Sequence, residues 1–305
     1  MVYDARMKYL FLALVALVAQ DTATLTGHTR EVSCVAISAN GKALASGSVD
    51  RTVRLWDPAS KQSVAALEGH DGEVHCVAFS PDGKLLASGE MYKKLKIWDV
   101  ASHKELQMFT DSEGAILGVA FTPDGKRLFA ACKDNAARVW NVDSGGEAKK
   151  LSHNWMVNGI AVSPDGKLVA TIDDGGSINL WDAATLKATK SWQHSSTGRA
   201  IAFSADGKTL VSGGGGAVKS WDLASGAEKA SAEFEANAVA ITPDGTLVVV
   251  GTQDNLVVAL NASDFSVKWK AEKHERPVTG VAISPDGKTA YTSSMDYTLR
   301  AWSLK

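Results

Sequence analysis

The feature that most limits what this chain can fold into is a repeat. The stretch from Gly27 to Asp57 carries a Gly-His pair, an alternating apolar run, a Ser-Ala-Asn-Gly turn, a second apolar run ending in Ser46-Gly47, then Asp50 and a closing Trp56-Asp57. Later segments restate that order with substitutions. Aligned on the closing Trp, the copies fall at Trp56, Trp98, Trp140, Trp181, Trp221, Leu260 and Trp302, at intervals of 42, 42, 41, 40, 39 and 42 residues. A fixed period near 40 makes each copy one supersecondary unit that can bury its apolar face only against its neighbours. The 305 residues therefore read as one repeat domain, where length alone suggests two.

Within each copy the first two apolar runs are joined by a hairpin signal such as Ser38-Ala39-Asn40-Gly41, Pro81-Asp82-Gly83, Pro123-Asp124-Gly125 or Ala205-Asp206-Gly207. Pro presets φ, Asp bonds its own backbone, and Gly takes the positive φ that ends the turn. Runs such as Val32 to Ile37 and Val74 to Phe79 are apolar on both faces, as strands packed between neighbours must be. With these marks the chain resembles the WD-repeat β-propellers over everything after residue 20. The resemblance implies an all-β fold, a seven-bladed propeller of four-stranded antiparallel blades over residues 20–305. Asp21 to Leu25 precedes Gly27-His28 as Ser63 to Leu67 precedes Gly69-His70, so it reads as an outer strand. Lys305 lies only three residues past Trp302, which leaves the seventh blade short of a strand. The N-terminal strand is expected to complete that blade and remove the open sheet end.

His28, Ser46 and Asp50 look like a catalytic triad. Their recurrence argues against it, since an active site needs no copies of itself. In WD-repeat proteins the matching His, Ser or Thr, Asp and Trp form a hydrogen-bonded chain inside the blade, and the resemblance transfers that role to His28, Ser46, Asp50 and Trp56 and to His274, Thr292, Asp296 and Trp302. Other blades keep parts of it. The second has His70, Ser88 and Trp98 with Tyr92 in place of Asp; the third has Asp134 and Trp140 with Ser112 and Ala130. His153, Thr171 and Trp181 recur in the fourth, where Gly175 stands at the Asp position and the adjacent Asp174 is the candidate substitute. The fifth has His194, Ser212 and Trp221 with a turn one residue shorter. The sixth keeps Asp254 alone beside Ala232, Val250 and Leu260, and is expected to rely on apolar packing.

Composition excludes several function classes. A net charge of -2 and a pI near 6.4, with no basic run, give no field for a phosphate backbone, so nucleic acid is not an expected partner. Gly213 to Gly216 lack the spacing of a phosphate loop, and Asp173-Asp174-Gly175-Gly176 lacks the alternating ligands of a calcium loop. Cys34, Cys76 and Cys132 have no metal spacing and read as small buried residues. No cofactor and no metal are expected. At the N-terminus, Arg6 and Lys8 precede eleven mostly apolar residues, Tyr9 to Ala19, too few for a membrane-spanning helix of about 20 residues. Residues 1–19 read as a signal peptide cleaved after Ala19, with Met7 a possible true start; an uncleaved anchor or an extra apolar strand is the alternative. The expected product is an exported monomer with no stable membrane span after cleavage, or else a cytoplasmic scaffold.

What remains is the surface. In WD-repeat proteins partners often dock where the loops before the first strand and between the second and third strands converge around the channel. By matching position, that face presents Glu31, Ser33, Glu73, His75, Met91, Leu117, Lys133, Met156, Asn158, Asp174, Arg199, Glu235, Asn237, Gln253, Thr279 and Met295, with Trp155 nearby. Met91, Leu117, Met156, Met295 and Trp155 would give an adaptable apolar centre suited to a peptide or protein, or would only fill the channel mouth. His75 is placed to titrate near neutral pH. The expected function is a non-catalytic protein-binding platform; the alternative is an enzyme or small-ligand site built on His75, Asp174 and Arg199.

Overall fold

The computed structural model describes residues 21–145 and 149–304; the expected signal peptide at 1–19, with Met7, lies outside them. Among the described residues the strands form seven four-stranded antiparallel sheets, the blades of a closed propeller. The first blade is typical, with strands Val32–Ile37, Leu44–Ser48, Val53–Asp57 and Gln62–Leu67. First strands of successive blades touch one another around the ring, so they line its axis. Fourth strands are mostly exposed and form the perimeter. No helix of the described residues is long and apolar enough to cross a membrane.

Seven inner hairpins close alike. Ser80 Oγ donates to Asp82 Oδ1 (2.6 Å), which also accepts the Lys84 N–H (3.0 Å), and Gly83 follows at φ 71°. The same Ser/Thr-to-Asp/Asn bond recurs at each such turn, from Ser38 to Asn40 through Ser284 to Asp286.

The ring closes as the sequence predicts. Asp21–Leu25 pairs antiparallel with Leu299–Ser303 as the outermost strand of the seventh blade, with Leu25 opposite Leu299 and fully buried. Thr22 Oγ1 donates to the Ala301 carbonyl (3.1 Å) and Arg300 pairs with Asp21.

Between blades the core is a layer of tryptophans. Each Trp packs against the blade before it, in one cluster with a third-strand residue of that blade: Trp98 with Leu55, Trp140 with Ile97, Trp181 with Val139, Trp221 with Leu180, Trp302 with Ala259 and Trp56 with Ala301. The interface between blades five and six is different. There Leu260 stands for the Trp, and the matching third-strand residue is Ser220.

The polar chain inside the blades is present with corrections. In the first blade Trp56 Nε1 donates to Ser46 Oγ (2.8 Å), Ser46 Oγ and His28 Nε2 share a hydrogen bond (2.7 Å), and His28 Nδ1 donates to Asp50 (2.8 Å). A carboxylate can only accept, so the proton of this contact is carried by the ring Nδ1. Blade seven repeats it through Trp302, Thr292, His274 and Asp296. In blade four the acid is Asp173, 3.1 Å from His153 Nδ1, and not Asp174. Blade two has an acid too, which the alignment on Tyr92 missed: Glu90, fully buried, lies 3.4 Å from His70 Nδ1 and accepts the Gly72 N–H (2.6 Å), while Tyr92 is exposed. Glu90 and Asp173 both sit eight residues before their Trp, where the first and seventh blades have Ser48 and Ser294. An acid there replaces the one missing two residues later. Blade five reaches Ser212 through His194 Nδ1 (3.0 Å), with Trp221 also on Ser212 (2.8 Å). In blade three Asp134 pairs with Arg138, and Trp140 donates to Asp111 (3.3 Å). Blade six packs Val250, Val258 and Leu260 without such a chain, as expected.

Candidate functional site

Two recurring backbone features build the face around the channel. The N–H just beyond each second strand bonds to the carbonyl of the loop that precedes the first strand: Val49 to Glu31, Met91 to Glu73, Lys133 to Ala115, Asp174 to Met156, Gly215 to Thr197, Gln253 to Glu235 and Met295 to Pro277, at 2.8–3.0 Å. These bonds bring the two loops of every blade together at one end of the ring. The second feature is a register shift in all seven inner hairpins, one residue into the first strand. The residues skipped are Ser33, His75, Leu117, Asn158, Arg199, Asn237 and Thr279. A β-bulge leaves its extra residue outside the ladder and re-aims the side chain. Here six of the seven point into a cavity of about 590 Å³ at the channel mouth, lined also by Arg30, Glu31, Val32, Val49, Glu73, Gln253 and Met295.

Several bulge residues also link neighbouring blades. Asn158 Nδ2 donates to the Gly198 carbonyl (2.8 Å) and to Asp174 (3.2 Å); Asn237 Nδ2 donates to the Val278 carbonyl and to Gln253 Oε1, both at 3.1 Å. Thr279 Oγ1 donates to the Val32 carbonyl (2.6 Å). Arg199 donates to Asn237 Oδ1 (3.1 Å) and to Glu235 (3.0 Å). Around the other side of the mouth stand Ser33, His75 and Leu117, with Glu31 and Glu73.

The structure gathers Glu31, Glu73, His75, Leu117, Asn158, Asn237, Gln253 and Met295 at the mouth. It sets Met91, Lys133, Trp155, Met156, Asp174 and Arg199 back from the cavity. Trp155, 58% exposed, lies against Gly175 on the loop of blade four. The expected apolar centre is thus reduced to Leu117 and Met295, within a polar and charged rim. Burial pushes the pKa of His75 below the ordinary histidine value, with Glu73 opposing and Lys133 reinforcing the shift. His75, Asp174 and Arg199 stand on blades two, four and five, the last two already bonded to Asn158 and to Asn237 and Glu235. Among the described residues no group of three or more His, Cys, Asp or Glu is placed to hold a metal ion.

Comparison with known proteins fits this geometry. The family model for the WD domain, G-beta repeat, matches residues 19–57, 61–99, 103–141 and 146–182, half of the chain. The chain belongs to the WD-repeat family. A segment of this WD-repeat protein is 53% identical over 38 residues to WD repeat-containing protein 18 of Homo sapiens, which is 12% of this chain and 9% of that one. Another is 33% identical over 92 residues to the protein LST8 homolog of Dictyostelium discoideum, 29% of this chain and 30% of that one. A third is 62% identical over 34 residues to the Notchless protein homolog of Arabidopsis thaliana, 11% and 7%. The WD-repeat chain thus spans less than a third of the length of these curated relatives. The model for outer membrane protein assembly factor BamB matches residues 165–301, which overlaps blades four to seven. As a WD-repeat propeller, the chain is of the type that serves as a protein-interaction scaffold.

Proposed function

We propose that this protein is a non-catalytic, exported, monomeric scaffold that holds a protein or peptide at the channel mouth. One observation carries the reading: seven bulges, spread evenly around the ring, turn one side chain each toward the same end, and six of them share one cavity of about 590 Å³. That volume lies within the range of about 300–1,000 Å³ of sites that enclose a ligand or an anchoring side chain. Met295 at the cavity is exposed, and farther out so are Met91, Tyr92, Trp155 and Tyr297. Such residues are enriched where proteins bind proteins. Export rests on the reading of residues 1–19 as a leader.

A pull-down from the exported fraction of the host compares the wild type with a Leu117→Glu/Met295→Glu variant whose melting is checked. A partner retained by the wild type and lost by the folded variant is the expected result. Retention of no protein by either removes the docking reading. Amino-terminal sequencing of the mature protein tests export; a chain that begins near Gln20 upholds it, and one that keeps Met1 or Met7 overturns cleavage.

A further inference from the structure

An asparagine loses its side-chain amide most readily when glycine follows it, because glycine has no side chain to keep its nitrogen away from the preceding side-chain carbonyl. The chain contains that pair twice, at Asn40-Gly41 and at Asn158-Gly159. The fold treats the two differently. Asn40 stands exposed at the tip of the first inner hairpin, where its Oδ1 accepts from Ser38 Oγ (2.8 Å) and from the Lys42 N–H (2.9 Å), while its Nδ2 makes no hydrogen bond among the described residues. Asn158 is half-buried at the channel mouth, and there Nδ2 is the atom that is held, by the Gly198 carbonyl (2.8 Å) and by Asp174 (3.2 Å). Gly159 is buried in an innermost strand, so close to the next blade that a Cβ would come within 3.1 Å of the Arg199 carbonyl oxygen.

We propose that Asn40 is a site of spontaneous deamidation in the folded protein and that Asn158 is not. The Gly41 nitrogen forms a bond to Asn40 Cγ, the bond from Cγ to Nδ2 breaks, and ammonia leaves with the proton that Gly41 gives up. Water then opens the five-membered imide. Aspartate results where the bond from the Gly41 nitrogen to Cγ breaks, and isoaspartate where its bond to the Asn40 main-chain carbonyl carbon breaks. In the closed turn the Gly41 N–H donates to the Ser38 carbonyl (2.8 Å), so the reaction waits for the tip to open. An exposed hairpin tip opens locally at small cost, whereas a strand packed between two blades opens only with much of its surroundings. The aspartate product also fits. At the six matching turns an Asp Oδ1 already takes the same two bonds, at 2.5–2.7 Å from a Ser or Thr hydroxyl and 3.0 Å from the N–H two residues on. Aspartate at position 40 therefore reseats in the turn with charge-assisted bonds. The same conversion at Asn158 would set carboxylate oxygens against the Gly198 carbonyl and Asp174, so the hold on its Nδ2 preserves the mouth. The inference does not depend on the function proposed for that mouth.

Peptide mapping by mass spectrometry tests the proposal. The full chain is kept in mildly alkaline buffer made with oxygen-18 water, once native and once unfolded in urea, and the peptides that carry Asn40 and Asn158 are weighed at intervals. In urea both should exchange the amide for a labelled carboxyl at similar rates. In the native sample the Asn40 peptide should convert while the Asn158 peptide lags it by about tenfold or more, a factor that needs only a modest difference in opening free energy. Asn40→Asp should melt with the wild type, since its carboxylate takes bonds that six other turns already make. A native sample in which Asn40 stays intact, or in which Asn158 keeps pace with it, overturns the proposal. A lowered melting temperature of Asn40→Asp overturns the reseating of the product.

Discussion

Glu90 illustrates what one residue adds to a blade. Its carboxylate accepts the Gly72 N–H and faces His70, whose pKa is pushed down to about 3, first by burial and then by the nearby Lys96. Removing one partner of a buried polar pair strands the other, at about 1–3 kcal/mol. Glu90→Ala should therefore lower the urea midpoint clearly, whereas Tyr92→Ala, at an exposed site, should stay within about 0.5 kcal/mol. The reverse order would return the structural role to Tyr92. Alignment by fixed distance from Trp98 pointed to Tyr92 because it counts positions and not reach. An acid two residues earlier, on the end of the second strand, meets the same histidine from a different direction. The informative pattern was the coincidence of Glu90 and Asp173 at one repeat position in two of the three blades that lack the usual Asp. The tryptophans were legible throughout, since their identity and spacing are the repeat itself.

At the level of the single blade, the buried chain from Trp to His makes stability depend on acid. Burial lowers the pKa values of His153 and His194 as well as that of His70. For Asp50 and Asp296 burial acts upward, but the hydrogen bonds from His28 and His274 and from Thr52 and Thr298 outweigh it and hold both well below the carboxylate range. All five groups bind protons more weakly in the folded chain, so the unfolded chain takes up protons first as the pH falls. The histidine contribution is intact above about pH 6.5, the ordinary histidine value, and declines below it; the aspartate contribution is intact above about pH 4 and declines below that. Chemical denaturation should show a flat midpoint from pH 7 to 8 and two successive losses in acid. A midpoint that rises on acidification would contradict the lowered values of His70, His153 and His194. Strands and turns of the blade were readable from apolar runs and from Asp-Gly. The bulges were not, because Ser, His, Leu, Asn, Arg, Asn and Thr occupy them. The bulge is a backbone device, set by how the first strand meets its neighbour. At Gly280, for instance, a Cβ would come within 3.1 Å of the Val35 nitrogen in the adjoining blade.

For the whole molecule the decisive contact joins the two ends of the chain. Deleting residues 1–26 removes Asp21–Leu25 and exposes the edge of Leu299–Ser303, together with the apolar contacts of Leu25 in its cluster. The truncated protein should melt at a markedly lower temperature and gain a tendency to associate through the bare edge; light scattering and calorimetry read the two effects, and an unchanged melt would sink the closure model. Seven blades were legible because each repeats the same marks, and closure because both termini showed part of a blade. The face around the channel was legible by matching position, but the outline of its cavity was not, since it is assembled from several blades and belongs to no single repeat. The same pairing sets an order of events. Thr22 and Ala301 are 279 positions apart, and their bond needs both in hand. Six blades have all their strands before the last segment is synthesised, while the first strand must wait, unpaired, for the last one to emerge. The slow step in assembly is then a long loop closing at the end, and until it does the chain remains an open arc that can still be threaded or unwound.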